Sequence, residues 1–135
     1  MMSAHPTPDT TPYDLLGGEK AVRKLVERFY DLMDEVPEYY AVRKLHPADL
    51  SGSREKLFMF LSGWLGGPQL YVQKHGHPML RARHLPFAIG VAERDGWIAC
   101  MKQAMDETGV EEGMRGWLLQ SLFGTADWMR NRPEA

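Results

Sequence analysis

Arg83-His84-Leu85-Pro86-Phe87, with Glu93-Arg94-Asp95-Gly96-Trp97 shortly after it, is the stretch that organises this chain. Pro86 has no N–H and disfavours the helical region for Leu85, so a short helix is expected to stop at His84. Proline suits the first position of a helix, so a long helix is expected to begin at Pro86. A histidine at such a corner can aim its imidazole between helices, as an axial iron ligand must. It can equally sit half exposed beside the negative end of its helix dipole. Taken alone, His84 favours that plainer reading.

Outward from this corner the pattern is helical. Val22, Leu25, Val26, Phe29, Leu32, Met33 and Val36 recur at three- and four-residue steps, predicting a helix from the Gly17-Gly18 break to about Pro37. Ser51 to Ser53 offer caps for a second helix with Leu57, Phe58, Phe60, Leu61, Trp64 and Leu65 as its apolar residues, ended by Gly66-Gly67-Pro68. Gln69 to Gly76 reads as a loop with some helical turns, and His77-Pro78 as the start of the short helix. The helix expected from Pro86 carries Phe87, Val91, Ile98, Met101 and Met105 on one stripe, with Trp97 beside it. After Thr108-Gly109, a last helix places Val110, Met114, Trp117, Leu118, Ser121, Leu122, Thr125 and Met129 at helical spacing. No alternating pattern competes, so the fold class is all-α. Four helices could make an ordinary bundle, yet the connection from Gly66 to His84 is long for one.

The 135 residues suit one domain, and 16 Lys+Arg against 18 Asp+Glu give a net charge of -2, which points to no nucleic-acid partner. Cys100 is the only cysteine, so no internal disulfide framework is expected; it reads as a buried thiol. The start of the chain lacks a basic, apolar leader and no stretch is apolar enough to span a bilayer, so no membrane association and a cytoplasmic protein are expected. Residues 1–12, with Pro6, Pro8 and Pro12, read as a flexible tail; 13–131 form the domain and 132–135 a second tail. His75 and His77 flank Gly76 without a cysteine or carboxylate cluster to complete a zinc site, and His5 belongs to the tail.

Several motifs stand in a fixed order: Gly17-Gly18, Arg28-Phe29-Tyr30, Phe60-Leu61, Trp64-Leu65-Gly66-Gly67-Pro68, Gly76-His77-Pro78, Arg83-His84-Leu85-Pro86-Phe87, Glu93-Arg94-Asp95-Gly96-Trp97 and Cys100-Met101. Together, from about Tyr13 to Met129, they resemble the group II truncated haemoglobins. The resemblance implies a 2-on-2 helical sandwich around one haem b (iron protoporphyrin IX). It makes His84 the proximal iron ligand, leaving the opposite axial position open. It also implies that Leu85 and Phe87 pack near the proximal face, although Phe87 also belongs to the apolar stripe.

On the distal side the resemblance points to Tyr30, His46 and Trp97 as the groups that stabilise bound ligand. A phenol and an indole are donors that need partners when buried, and preorganised donors favour the partial negative charge of bound O2. Periodicity alone would leave Tyr30 and Trp97 as interfacial aromatics. His46 departs from the tyrosine of many relatives; it donates when neutral and gains charge as pH falls, or else turns to solvent. Ser53 falls where many globins carry a distal histidine and leaves the haem edge more open. Leu57 and Phe60 are implied to face the haem, with Leu61 close by. Lys56 and Arg83 match positions that pair with propionates, with Tyr71 adding a hydrogen bond; the plainer reading of Lys56 is a solvated basic side chain.

The functional expectation is a haem protein that reversibly binds O2, NO, CO or other diatomic ligands. Several distal donors should slow O2 release, which suits a redox role: nitric oxide dioxygenation, or peroxidase-like chemistry. With no flavin or nicotinamide domain in the sequence, turnover would need an external reductase. The alternative is a non-enzymatic O2 store, oxygen-transport carrier or sensor, as a monomer or homodimer. A haem-free helical interaction protein fits the periodicity but not the ordered motifs.

Overall fold

The computed structural model describes residues 10–132, and among these it contains helices and no strand. The order is α1 (Pro12–Leu16), α2 (Gly18–Glu35), a 3-10 turn (Pro37–Tyr39), α3 (Tyr40–Arg43), α4 (Ser51–Trp64), α5 (Leu70–His75), α6 (Leu80–His84), α7 (Val91–Thr108) and α8 (Glu112–Trp128). Residues 1–9 and 133–135, and with them His5 and most of both expected tails, lie outside the described residues. Thr11 and Pro12 are already structured: Thr11 caps α1 by accepting from the Asp14 N–H at 3.2 Å, and Tyr13 N–H donates to the Leu65 carbonyl at 2.9 Å. No helix among the described residues is long and apolar enough to cross a membrane.

The four long helices pair as α2 with α4 and α7 with α8, and α2 lies against α7. The α2 stripe explains this, since Val22, Leu25, Val26, Phe29, Tyr30, Leu32 and Met33 are all buried. Cys100, Met101, Ala104 and Met105 of α7 and Met114, Leu118 and Leu122 of α8 complete the core. Close approach matters beside Trp97. A Cβ on Gly96 would stand 2.9 Å from Val42 Cγ2, so glycine there lets α3 and the following loop lie against α7.

Helix ends follow local chemistry, sometimes against the sequence reading. Val36 is extended before Pro37, as a residue preceding proline should be, and it closes α2 next to Pro37, where the stop is expected. The serines do not cap α4, whose N-cap position is Leu50; Asp49 just before it reaches in, its Oδ1 accepting from Ser51 N–H at 2.9 Å and Ser51 O–H at 2.6 Å, while Ser51 is already helical. Gly66 adopts a left-handed φ of 93°, and Gly67 N–H closes on the Ser62 carbonyl at 2.8 Å, ending α4 where the glycine pair predicts.

Two starts move. The helix bearing His84 begins at Leu80 rather than His77-Pro78, because Met79 is left-handed at φ 49° and stands outside it. The following long helix begins at Val91 rather than Pro86. Gly90 is its N-cap, and Glu93 accepts the Gly90 N–H at 2.7 Å, a carboxylate reaching back as in a capping box. Residues 86–90 instead form an irregular link, opened by a turn in which Phe87 N–H donates to the His84 carbonyl at 3.0 Å.

Phe29 is fully buried where α2 meets α7, whereas Tyr40 is 66% exposed. Phe29→Ala should therefore lower unfolding stability by about 3–5 kcal/mol, and Tyr40→Ala by no more than about 0.5 kcal/mol, measured by urea denaturation at constant m-value. Equal losses would contradict the assigned core.

Candidate haem site

His84 ends α6 with its ring fixed by the backbone. Nδ1 lies 2.6 Å from the Leu80 carbonyl oxygen one turn earlier. A carbonyl only accepts, so Nδ1 carries the hydrogen and the neutral ring presents its lone pair at Nε2. That is the tautomer a metal-binding histidine needs. The Phe87 ring stands edge-on to it at 6.4 Å between centroids, while Leu85 and Phe87 remain 53% and 42% exposed.

Tyr30, His46 and Trp97 are brought together through Phe29. The Phe29 ring meets Tyr30 and Trp97 edge-on, each at 5.0 Å, and Tyr30 meets His46 at 5.7 Å. Tyr30 is only 5% exposed, yet neither its hydroxyl nor the Trp97 indole N–H has a hydrogen-bond partner among the described residues. Burial drives the Tyr30 phenol well above its usual range, opposed by the Arg54 guanidinium 5.9 Å from its ring, so it stays a protonated donor. Arg54 is itself held by Glu27 at 2.6 Å and Asp31 at 2.8 Å. Beneath this group, Cys100 Sγ donates to the Phe29 carbonyl at 3.2 Å, and burial pushes its thiol up to about 12.

His46 is turned inward. Its Nδ1 lies 3.0 Å from the Val42 carbonyl oxygen, so by the same reasoning Nδ1 holds the hydrogen. The neutral ring then offers an acceptor at Nε2, where the sequence suggested a donor; donation there requires a second proton. Desolvation lowers the His46 pKa, and the charge of Arg43 and any protonation of His84 lower it further, against the backbone hydrogen bond to Val42. The sensitivity to His84 also means that the two imidazoles share one electrostatic neighbourhood.

α4 supplies two apolar faces. Phe58, Leu61 and Leu65 are buried in the core, while Leu57, Phe60 and Trp64 are only partly covered. Phe60 and Trp64 line an open cleft of about 550 Å³, with Leu80 and Arg81 of α6 and Ser121 and Thr125 of α8 opposite. None of Tyr30, His46, His84 or Trp97 lines that cleft. Haem asks for an imidazole with a free Nε2, apolar surface for the porphyrin and donors on the far side. His84, the half-covered side chains of α4 with Leu85 and Phe87, and the unpartnered Tyr30 and Trp97 fit those demands.

The comparisons with known proteins agree with this geometry. Residues 11–131 match the family model of the bacterial-like globins. The group 2 truncated haemoglobin YjbI of Bacillus subtilis is 44% identical over 124 residues, which cover 92% of this chain and 91% of that protein. The chain is a group II truncated haemoglobin. Among solved structures, the group II 2-on-2 haemoglobin of Agrobacterium tumefaciens superposes with a TM-score of 0.90 at 46% identity, covering 96% of this chain and 100% of that one. The truncated oxygen-avid haemoglobin of Bacillus subtilis gives 0.84 at 43%, covering 90% and 100%. The 2-on-2 sandwich and haem as the cofactor follow.

The remaining expected residues of this haemoglobin are placed as follows. Ser53, Lys56, Leu57 and Leu61 lie on α4, with Lys56 exposed and Leu61 buried. Arg83 and Tyr71 do come together, the guanidinium 5.9 Å from the Tyr71 ring, and Tyr71 also meets Phe60 at 6.5 Å and His75 at 4.8 Å. The sequence reading gave no site role to Arg54, to Arg81 or to the α8 side of the cleft. A basic residue on an amphipathic helix reads as solvent-facing until its partners are in place.

A neutral histidine in the folded state must lose stability on protonation. His46 has a pKa depressed from its unfolded value of about 6.5, so its contribution is complete above that pH and is lost as pH falls through the folded pKa. His46→Gln should flatten the fall of stability below pH ~6.5, followed by denaturation at several pH values. An unchanged slope would contradict the assignment.

Proposed function

We propose that the chain holds haem b through His84 and uses Tyr30 and Trp97 to retain O2 for redox turnover, with nitric oxide dioxygenation as the reaction. When bound, the haem supplies a ferrous iron whose open position takes diatomic ligands. The observation that carries this reading is a pair of donors, the hydroxyl of the 5% exposed Tyr30 and the Trp97 indole N–H, which have no acceptor among the described residues and are not sealed from solvent. Each keeps its hydrogen available, so the pair suits a ligand that brings the acceptor.

The chain's own groups divide the work. The Leu80 carbonyl holds His84 in the tautomer that presents Nε2. Leu57, Phe60, Leu85 and Phe87 exclude water from the cofactor's faces, and Ser53 leaves the edge of the distal space open. Lys56, Arg83 and Tyr71 would pair with the propionates, in contacts individually worth little. Tyr30 and Trp97 donate toward the ligand, and His46, neutral at physiological pH, packs its ring against Tyr30 and limits where the phenol can swing. Slow O2 escape then gives a second small molecule time to react. Conversion of NO and O2 to nitrate takes up one electron, which an external reductase must provide. Peroxidase-like turnover would use the same groups. The Bacillus subtilis relative described as oxygen-avid supports strong retention.

Each donor should contribute about 1–2 kcal/mol to holding O2, so Tyr30→Phe and Trp97→Phe should each release it about 5- to 30-fold faster in stopped-flow experiments. Unchanged rates would remove the donor argument. Steady NO consumption with a supplied reductant should yield nitrate; tight O2 binding without such turnover would leave an O2 store or carrier.

A further inference from the structure

The segment that carries His84 cannot hold itself in place. α6 is five residues long and buries none of them, and so short a helix has no stability of its own. Leu85 and Phe87, next along the chain, are exposed. The anchors of this segment are polar, and they come from the far end of the sequence. Asn131, the chain's single asparagine, donates from Nδ2 to the Phe87 carbonyl at 2.7 Å and the His84 carbonyl at 3.3 Å. Its Oδ1 accepts from the Ile89 N–H at 3.0 Å. The amide orientation is dictated by these partners, since two carbonyls need the NH2 group and one N–H needs the oxygen.

Backbone bonds reinforce the tie. The Asn131 and Arg132 N–H groups both donate to the Ile89 carbonyl, at 2.8 and 3.2 Å. From the other side, Arg81 of α6 donates through Nη1 to the Trp128 carbonyl at 2.7 Å and the Arg130 carbonyl at 2.8 Å, at and just past the end of α8. The helix bearing His84 is thus gripped before and after the histidine by residues 128–132.

We propose that Asn131 is a positioning residue for the proximal ligand: by bonding the His84 and Phe87 carbonyls it fixes the direction in which the His84 ring leaves α6. This rests on His84 as the iron ligand. The dependence is geometric, because the Leu80 carbonyl sets rotation about the ring's Nδ1 side while Asn131 sets the backbone from which the ring projects.

The test uses the full chain with two variants. Asn131→Leu removes every side-chain bond at similar volume; Asn131→Asp keeps an acceptor for Ile89 N–H but loses both donors. In the apoprotein, hydrogen exchange of residues 84–90 should quicken at least about tenfold in both variants, with α2 and α7 amides unchanged. In the haem-loaded ferrous protein, the iron–histidine stretching band in resonance Raman spectra should shift or broaden in both, and should vanish in His84→Ala. Wild-type exchange or a wild-type band in the Asn131 variants, with the band lost in His84→Ala, overturns the positioning role alone. A band that persists in His84→Ala overturns the ligand assignment, and the role of Asn131 falls with it.

Discussion

Phe29 joins the fold to the distal group. It is fully buried, its ring touches both Tyr30 and Trp97, and its carbonyl accepts from Cys100 across the seam between α2 and α7. One side chain therefore sets both the approach of the two helices and the spacing of the two donors. A cavity there would loosen the pair of aromatics even if the helices remained. The close packing beside Gly96 works in the same direction, pressing the loop that ends in His46 against α7.

The proximal side is built by a different kind of force. α6 has no buried side chain, so His84 is aimed by hydrogen bonds rather than by packing. The Tyr30, Phe29 and Trp97 group is thus held by ring packing, and the His84 segment by hydrogen bonds to backbone carbonyls. The difference bears on dynamics: segments with few buried contacts open locally at lower cost than the core.

Much of this was legible in the residues. Four long helices followed from stripes at helical spacing, and their glycine stops at Gly17-Gly18, Gly66-Gly67 and Thr108-Gly109 hold in three dimensions. The site came from an ordered series of motifs rather than from any one residue, since His84 alone favoured an ordinary helix end. What stayed hidden shares a cause. The reach of Asp49 into α4, the reach of Glu93 back to Gly90 and the grip of Asn131 are single polar side chains acting on the backbone, which leave no period in the sequence. The tautomer of His46 was hidden for the same reason, because only the position of the Val42 carbonyl decides it.

The central claim is that His84 holds a haem whose opposite side binds O2. Visible absorption spectra of the purified protein, recorded as ferric, ferrous and ferrous plus O2, with His84→Ala alongside, test it most directly. A haem spectrum with a stable O2 complex, lost or altered in His84→Ala, is the expected result. Failure to take up haem even after reconstitution would contradict it.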